Sequence, residues 1–150
     1  MSQAQGQPFR SELWIDRPRS HVFPFFADAF NLELITPQWL RFEVLTPAPI
    51  PMKIGTRIAY RLRLHGFPVR WESIITAWDP PRRFVDEQRQ GPYRFWRHLH
   101  TFEEHRGGTL VRDEIFYSVP GGKIVDRCFV RPELERIFRF RRAKLLSLLG

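Results

Sequence analysis

Alternation of apolar and polar positions marks most of this chain as strand. Phe9 to Ile15 sets Phe9, Ser11, Leu13 and Ile15 against Arg10, Glu12 and Trp14, the period of a half-buried strand. Arg57 to Leu64 is the cleanest case, with Ile58, Tyr60, Leu62 and Leu64 facing one way and Arg57, Arg61 and Arg63 the other. A short run, Arg41 to Thr46, precedes it and leads into a loop punctuated by Pro47, Pro49 and Pro51. Phe67 to Trp78, Arg83 to Gln90, Tyr93 to Glu104 and Thr109 to Ser118 follow. The separators are turn signals: His65-Gly66, Asp79-Pro80-Pro81-Arg82, Gly91-Pro92 and Arg106-Gly107-Gly108. Six successive strands joined by tight turns predict an antiparallel meander.

Two stretches have helical spacing. Arg19 to Ile35 carries Val22, Phe23, Phe26, Ala27, Phe30, Leu34 and Ile35, but Pro24 and the polar break at Asp28 and Asn31 predict two short helices, stopped by Thr36-Pro37. Gly121 to Leu149 predicts one long helix. Leu134, Ile137, Phe138, Leu145, Leu148 and Leu149 form an apolar stripe, and Arg141 projects from its middle. An unpaired buried guanidinium is costly, so Arg141 must reach solvent or find an acceptor. Pro132 predicts a start or kink, and the position of Cys128 predicts a small buried apolar role. The class is therefore α+β. Six or seven strands with one long helix to cover them must curl around it, which leaves an interior gap.

Composition adds room for a ligand without requiring one. The 150 residues are 43% hydrophobic, which suits one domain over 9–150 behind a flexible tail at 1–8. Fourteen Phe and five Trp are compatible with an aromatic-lined pocket and equally with a filled sheet-helix core. The net charge of +8 raises nucleic acid, ribosome or anionic membrane as partners. Three of the 24 basic residues are lysine (Lys53, Lys123, Lys144) and the rest arginine, scattered with no compact run. Specific nucleic-acid binding is not expected, while peripheral contact with an anionic membrane stays compatible. One cysteine excludes an internal disulfide. The N-terminus lacks a signal-peptide pattern, and no apolar run approaches the ~20 residues of a membrane span, so a cytoplasmic protein is expected. The oligomeric state is not legible.

Candidate chemistry emerges from register. If the Arg106-Gly107 turn pairs Glu104 with Thr109, then Phe102 faces Val111, His100 faces Asp113, His98 faces Ile115 and Trp96 faces Tyr117. If Gln88 lies opposite Trp96, then Asp86 faces His98 and Phe84 faces His100. Two histidines and two aspartates share one face, toward which Arg141 points, with Asp86, Asp113 or Gln88 as its acceptor. Four roles are open to this cluster. It can be a hydrogen-bonded ladder holding sheet and helix in register, or a polar grip on the head of an apolar ligand. It can also supply His98 or His100 with Asp86 or Asp113 as general acid and base, or be a metal site, for which no third ligand is specified. No metal or cofactor is expected. His21, His65 and His105 read as solvated. The chain has no Gly-rich phosphate loop, nucleophile elbow or cysteine cluster.

These motifs resemble a known superfamily. Trp71, Phe84-Val85-Asp86-Glu87-Gln88, Gly91-Pro92-Tyr93, Trp96 to Phe102, Gly108-Thr109, Asp113, Tyr117 and Ile137 to Arg141 are similar to the SRPBCC proteins, the START, Bet v 1 and polyketide cyclase group. Asp16-Arg17-Pro18 and Phe26 to Leu32 resemble the opening of its bacterial cyclase/dehydrase or CoxG-like branch. The resemblance runs from about Phe9 to Leu149. It implies a helix-grip fold, a curved antiparallel sheet around a C-terminal helix with a cavity between them. The superfamily it points to includes both carriers and cyclases. The surplus of aromatics with few polar groups on the concave face favours binding of a small hydrophobic or amphipathic molecule, lipid-, isoprenoid- or polyketide-like, without catalysis. Trp71, Phe84, Asp86, Gln88, Trp96, His98, His100, Phe102, Asp113, Tyr117, Phe138 and Arg141 are then the ligand-contact candidates. The competing expectations are a cyclase or dehydratase using His98, His100, Asp86 and Asp113, and a basic-surface module for RNA, ribosome or anionic membrane.

Overall fold

The computed structural model describes residues 8–150, so all but Pro8 of the tail expected at 1–8 lies outside the described residues. Seven strands form one sheet: β1 (Phe9–Ile15), β2 (Glu43–Val44), β3 (Arg57–Leu64), β4 (Phe67–Asp79), β5 (Arg83–Gln90), β6 (Phe95–His105) and β7 (Gly108–Ser118). Their order is β1-β7-β6-β5-β4-β3-β2, all pairs antiparallel, so β2 to β7 are the expected meander and β1 closes onto its last strand. Turn chemistry sets two of the hairpins. His65-Gly66 and Arg106-Gly107 both adopt positive φ at two successive residues, the conformation whose twist matches flanking strands. Two irregularities in the β4–β5 pairing, at Glu72/Ser73 and Ile75/Ala77, increase local twist and help the sheet curl.

The two short helices after β1 are α1 (Arg19–Ala27) and a 3-10 turn (Ala29–Glu33), followed by a second 3-10 turn at Gln38–Leu40. The break falls at Asp28, whose carboxylate accepts the Phe30 amide, while Pro24 sits inside α1. Leu34, expected on the apolar side, is exposed. The strand expected at Arg41 to Thr46 shrinks to two residues, because Arg41 is left-handed and the prolines begin soon after.

The C-terminal helix is continuous over 28 residues but not uniform: α2 (Gly122–Val125), a π-helical turn (Asp126–Val130) and α3 (Arg131–Leu149). Pro132 does not break it and stands in the first turn of α3, where the α-helical segment restarts after the π turn. The Arg131 amide reaches back five residues to the Asp126 carbonyl, and this wider turn takes up the proline. Cys128 lies on the π turn and is exposed, correcting the buried role expected for it. Leu134, Phe138, Arg141 and Leu145 are the buried stripe, whereas Leu148 is exposed and belongs to no core cluster.

The core lies between the sheet's concave face and the helices. Phe23, Phe26, Phe84 and Phe102 pack with Leu13, Val111 and Leu145, while Phe9, Ile115, Leu134 and Phe138 form a neighbouring cluster. The outer face of β1 and β7 is wet, held by Arg10 to Glu114 and by Arg112 to both Glu12 and Glu103. A curled antiparallel sheet gripping a long C-terminal helix is the helix-grip architecture.

Candidate functional site

The register predicted for the last three strands is found except for the Gln88–Trp96 pair, which does not form. Trp96, His98, His100 and Phe102 stand opposite Tyr117, Ile115, Asp113 and Val111, and Phe84 and Asp86 opposite His100 and His98. The hydrogen bonds, however, run diagonally. His98 Nε2 lies 2.8 Å from Asp113 Oδ1, and His100 Nε2 lies 2.6 Å from Asp86 Oδ2, so each histidine bonds an aspartate two residues from its direct cross-strand partner. The crossing draws the two imidazoles into a stack with centroids 3.7 Å apart, and Phe84 stacks on His100 at 4.1 Å.

Arg141 comes down on this stack from α3. Its Nη2 is 3.6 Å from Asp113 Oδ1, an ion pair too long for a hydrogen bond, and the rings of Phe138 and Phe26 lie 5.1 and 5.8 Å from its guanidinium carbon. Gln88 is not its acceptor. His100 Nδ1, Arg141 Nε and Arg141 Nη2 are buried polar atoms without a hydrogen-bond partner among the described residues.

Charge is arranged around that burial. Burial pushes His100 down to about 4, and neighbouring His98 adds to this, against the pull of Asp86 and Asp113. Burial works against ionised Asp86 and Asp113 too, but their bonds to the histidines and the charge of Arg141 outweigh it and hold both below the usual carboxylate range. Tyr60 is held far above its usual value, first by burial and then by the charge of Asp86, so it stays a neutral phenol. The site at neutral pH is therefore two carboxylates, one guanidinium and an uncharged His100.

A pocket of about 190 Å³ occupies the space between this cluster, β3, β4 and α3. Its polar wall is Asp86, His98, His100 and Arg141, and its remaining wall is chiefly aliphatic and aromatic. Of the contact candidates, Trp71, Phe84, Trp96 and Phe138 also line it. Four candidates do not. Asp113 stands behind His98 and Arg141; Phe102 is sealed in the core against Phe23 and Phe26. Tyr117 donates to Asp126 Oδ1 at 2.6 Å, clasping the π turn. Gln88 is spent on the β5–β6 turn, where its amide exchanges bonds with the Tyr93 main chain, and the paired ladder stops at Glu87 and Arg97.

Other lining residues carry no assignment from the sequence, among them Tyr60, Ser73, Asn31 and Glu133. Two had a signal. Tyr60 lies on the cleanest alternation in the chain, and Ser73 falls between Trp71 and Ile75 on one face of β4, accepting the Trp71 indole at 3.0 Å. Asn31 and Glu133 come from helical turns whose orientation only the tertiary packing sets.

Asp86, His98 and His100 each offer a donor atom within 4.8 Å of the others. The imidazoles are 17° from parallel, which sends their in-plane lone pairs side by side instead of to one point, so holding an ion would require the rings to turn. What the arrangement offers as it stands is a polar wall in an apolar pocket, with two His-Asp pairs able to relay a proton.

Known structures share this fold. Protein Ms6760 from Mycobacterium smegmatis superposes with a TM-score of 0.75 at 18% identity, over 96% of this chain and 91% of its own. TTHA0849 from Thermus thermophilus gives 0.66 at 19% identity, over 93% and 92%. Ara h 8.0201 gives 0.66 at 16%, over 93% and 97%. No curated protein matches in sequence. The family profile described as polyketide cyclase / dehydrase and lipid transport matches residues 15–139.

Proposed function

This chain belongs to the polyketide cyclase / dehydrase and lipid transport family, and on that premise we propose that it binds a small hydrophobic or amphipathic molecule between sheet and C-terminal helix. The observation that carries the reading is the pocket's division: one largely buried polar cluster of Asp86, His98, His100 and Arg141 in a lining that is otherwise chiefly aliphatic and aromatic. Such a cluster orients a ligand's polar group while the apolar remainder supplies affinity. Native mass spectrometry of freshly purified protein, followed by organic extraction, tests it. The expected result is an adduct lost on denaturation, together with displacement of the pocket probe 1-anilinonaphthalene-8-sulfonate by the extract. A bare mass and no saturable probe binding would overturn the reading.

A second reading, a cyclase- or dehydratase-type enzyme, is favoured by one specific feature: both imidazoles line the pocket and each is backed by an ionised aspartate. With the extracted molecule in hand, His100→Gln should abolish turnover while binding persists. Unchanged turnover in that variant and in His98→Gln removes the catalytic role.

A further inference from the structure

Antiparallel pairing gathers three connections at one end of the sheet: the β3–β4 turn, the β5–β6 turn and the exit of β7 into α2. The β3–β4 hairpin projects furthest, because Glu72 pairs with Gln90 at the end of β5 and residues 67–71 run beyond it. Phe67 at its tip is 73% exposed, and in the α2 and π segments Ile124 is 68% and Phe129 59% exposed. Around them stand five exposed cations, Arg63, Arg70, Arg94, Lys123 and Arg127. Of the carboxylates nearby, Asp126 is bonded by Tyr117, Glu72 is paired with Arg89 and Glu133 with Arg136, while Glu135 is exposed. Pocket-lining Leu64, Trp71, Tyr93, Trp96 and Glu133 belong to this same end.

We propose that this end is a docking surface for an anionic phospholipid bilayer, with Phe67, Ile124 and Phe129 entering the headgroup region and the five cations meeting lipid phosphates. Separated apolar tips among positive charges match an interface that is apolar beneath and negative above. A nucleic acid fits less well: Ile124 gains nothing by stacking on a base, and the three tips lie on two separate projections instead of one platform. No helix among the described residues is long and apolar enough to cross a membrane, so the contact is with the surface. The proposal stands on exposure and charge. It rests on the ligand-binding reading only for its purpose, exchange of the pocket's occupant at the bilayer.

Co-sedimentation with vesicles of phosphatidylcholine, and of phosphatidylcholine and phosphatidylglycerol in equal parts, tests it. Binding is expected to the mixed vesicles alone and to weaken with salt. Replacing Phe67, Ile124 and Phe129 together by serine should lower it by about tenfold or more at unchanged net charge. Ile54→Ser removes an equally exposed residue (66%) at the opposite end and should leave it unchanged. Equal binding by the triple variant and the wild type would reduce the attraction to diffuse charge and overturn the proposal. So would absence of vesicle binding, or an RNA affinity lost in parallel in the triple variant. Pocket-probe binding without vesicle binding sinks docking alone. Vesicle binding without probe binding sinks the ligand reading and leaves docking in place.

Discussion

His100 is sealed between Phe84 and His98 and is bonded through one nitrogen only, and this makes folding stability depend on pH. Its proton affinity is lower folded, at about 4, than in the open chain at 6.5, so unfolding takes up a proton. Stability should therefore be whole above about pH 6.5 and fall toward pH 4, by at most about 3 kcal/mol. Asp86 and Asp113 act in the lower range: held below the ordinary carboxylate value, they stabilise above it and lose that contribution only on further acidification. Thermal midpoints followed downward from neutral pH should show the first decline in the wild type and a shallower one in His100→Gln. A flat wild-type curve across that window would contradict the assignment. The pairing behind this behaviour is legible in the sequence, because a turn such as Arg106-Gly107 fixes which residues face each other. The diagonal choice of partner is not, since register places Cα atoms but not side-chain rotamers.

Among the elements, the strands are legible and the helix only in part. Alternation and turn residues locate β1, β3 and β5 to the residue. The C-terminal helix shows where periodicity fails. A π turn inserts residues outside the 3.6 period, so the phase of α3 cannot be carried back through Pro132, and Cys128 lands on the solvent side. The same turn explains why Tyr117 lies outside the pocket: its hydroxyl is committed to Asp126 in the widened segment. Tyr117→Phe should cost about 1.5 to 3 kcal/mol in denaturant unfolding, the range for a hydrogen bond to a charged group. Amide exchange should quicken at 126–131 more than elsewhere. Uniform exchange in that variant would mean that the clasp does not hold the turn.

At the scale of the molecule, the meander is predictable from successive hairpins, but the place of β1 is not, because no local signal links it to a strand so far along the chain. Its location beside β7 brings Arg10 against Glu114 across 104 residues of sequence. That neighbour relation imposes an order in time. A strand made first on the ribosome has no partner until the last strand emerges, while β3 to β6 can pair as each follows the one before. Loop-closure entropy delays the distant contact in refolding as well. Pulse-labelled exchange should find the β3–β6 amides protected before those of β1, and the nascent chain should remain open to protease until β7 has cleared the exit tunnel. The gap that would hold a ligand takes one wall from Leu134, Ile137, Phe138 and Arg141 of α3, which emerges later still, so a guest has to enter a finished protein.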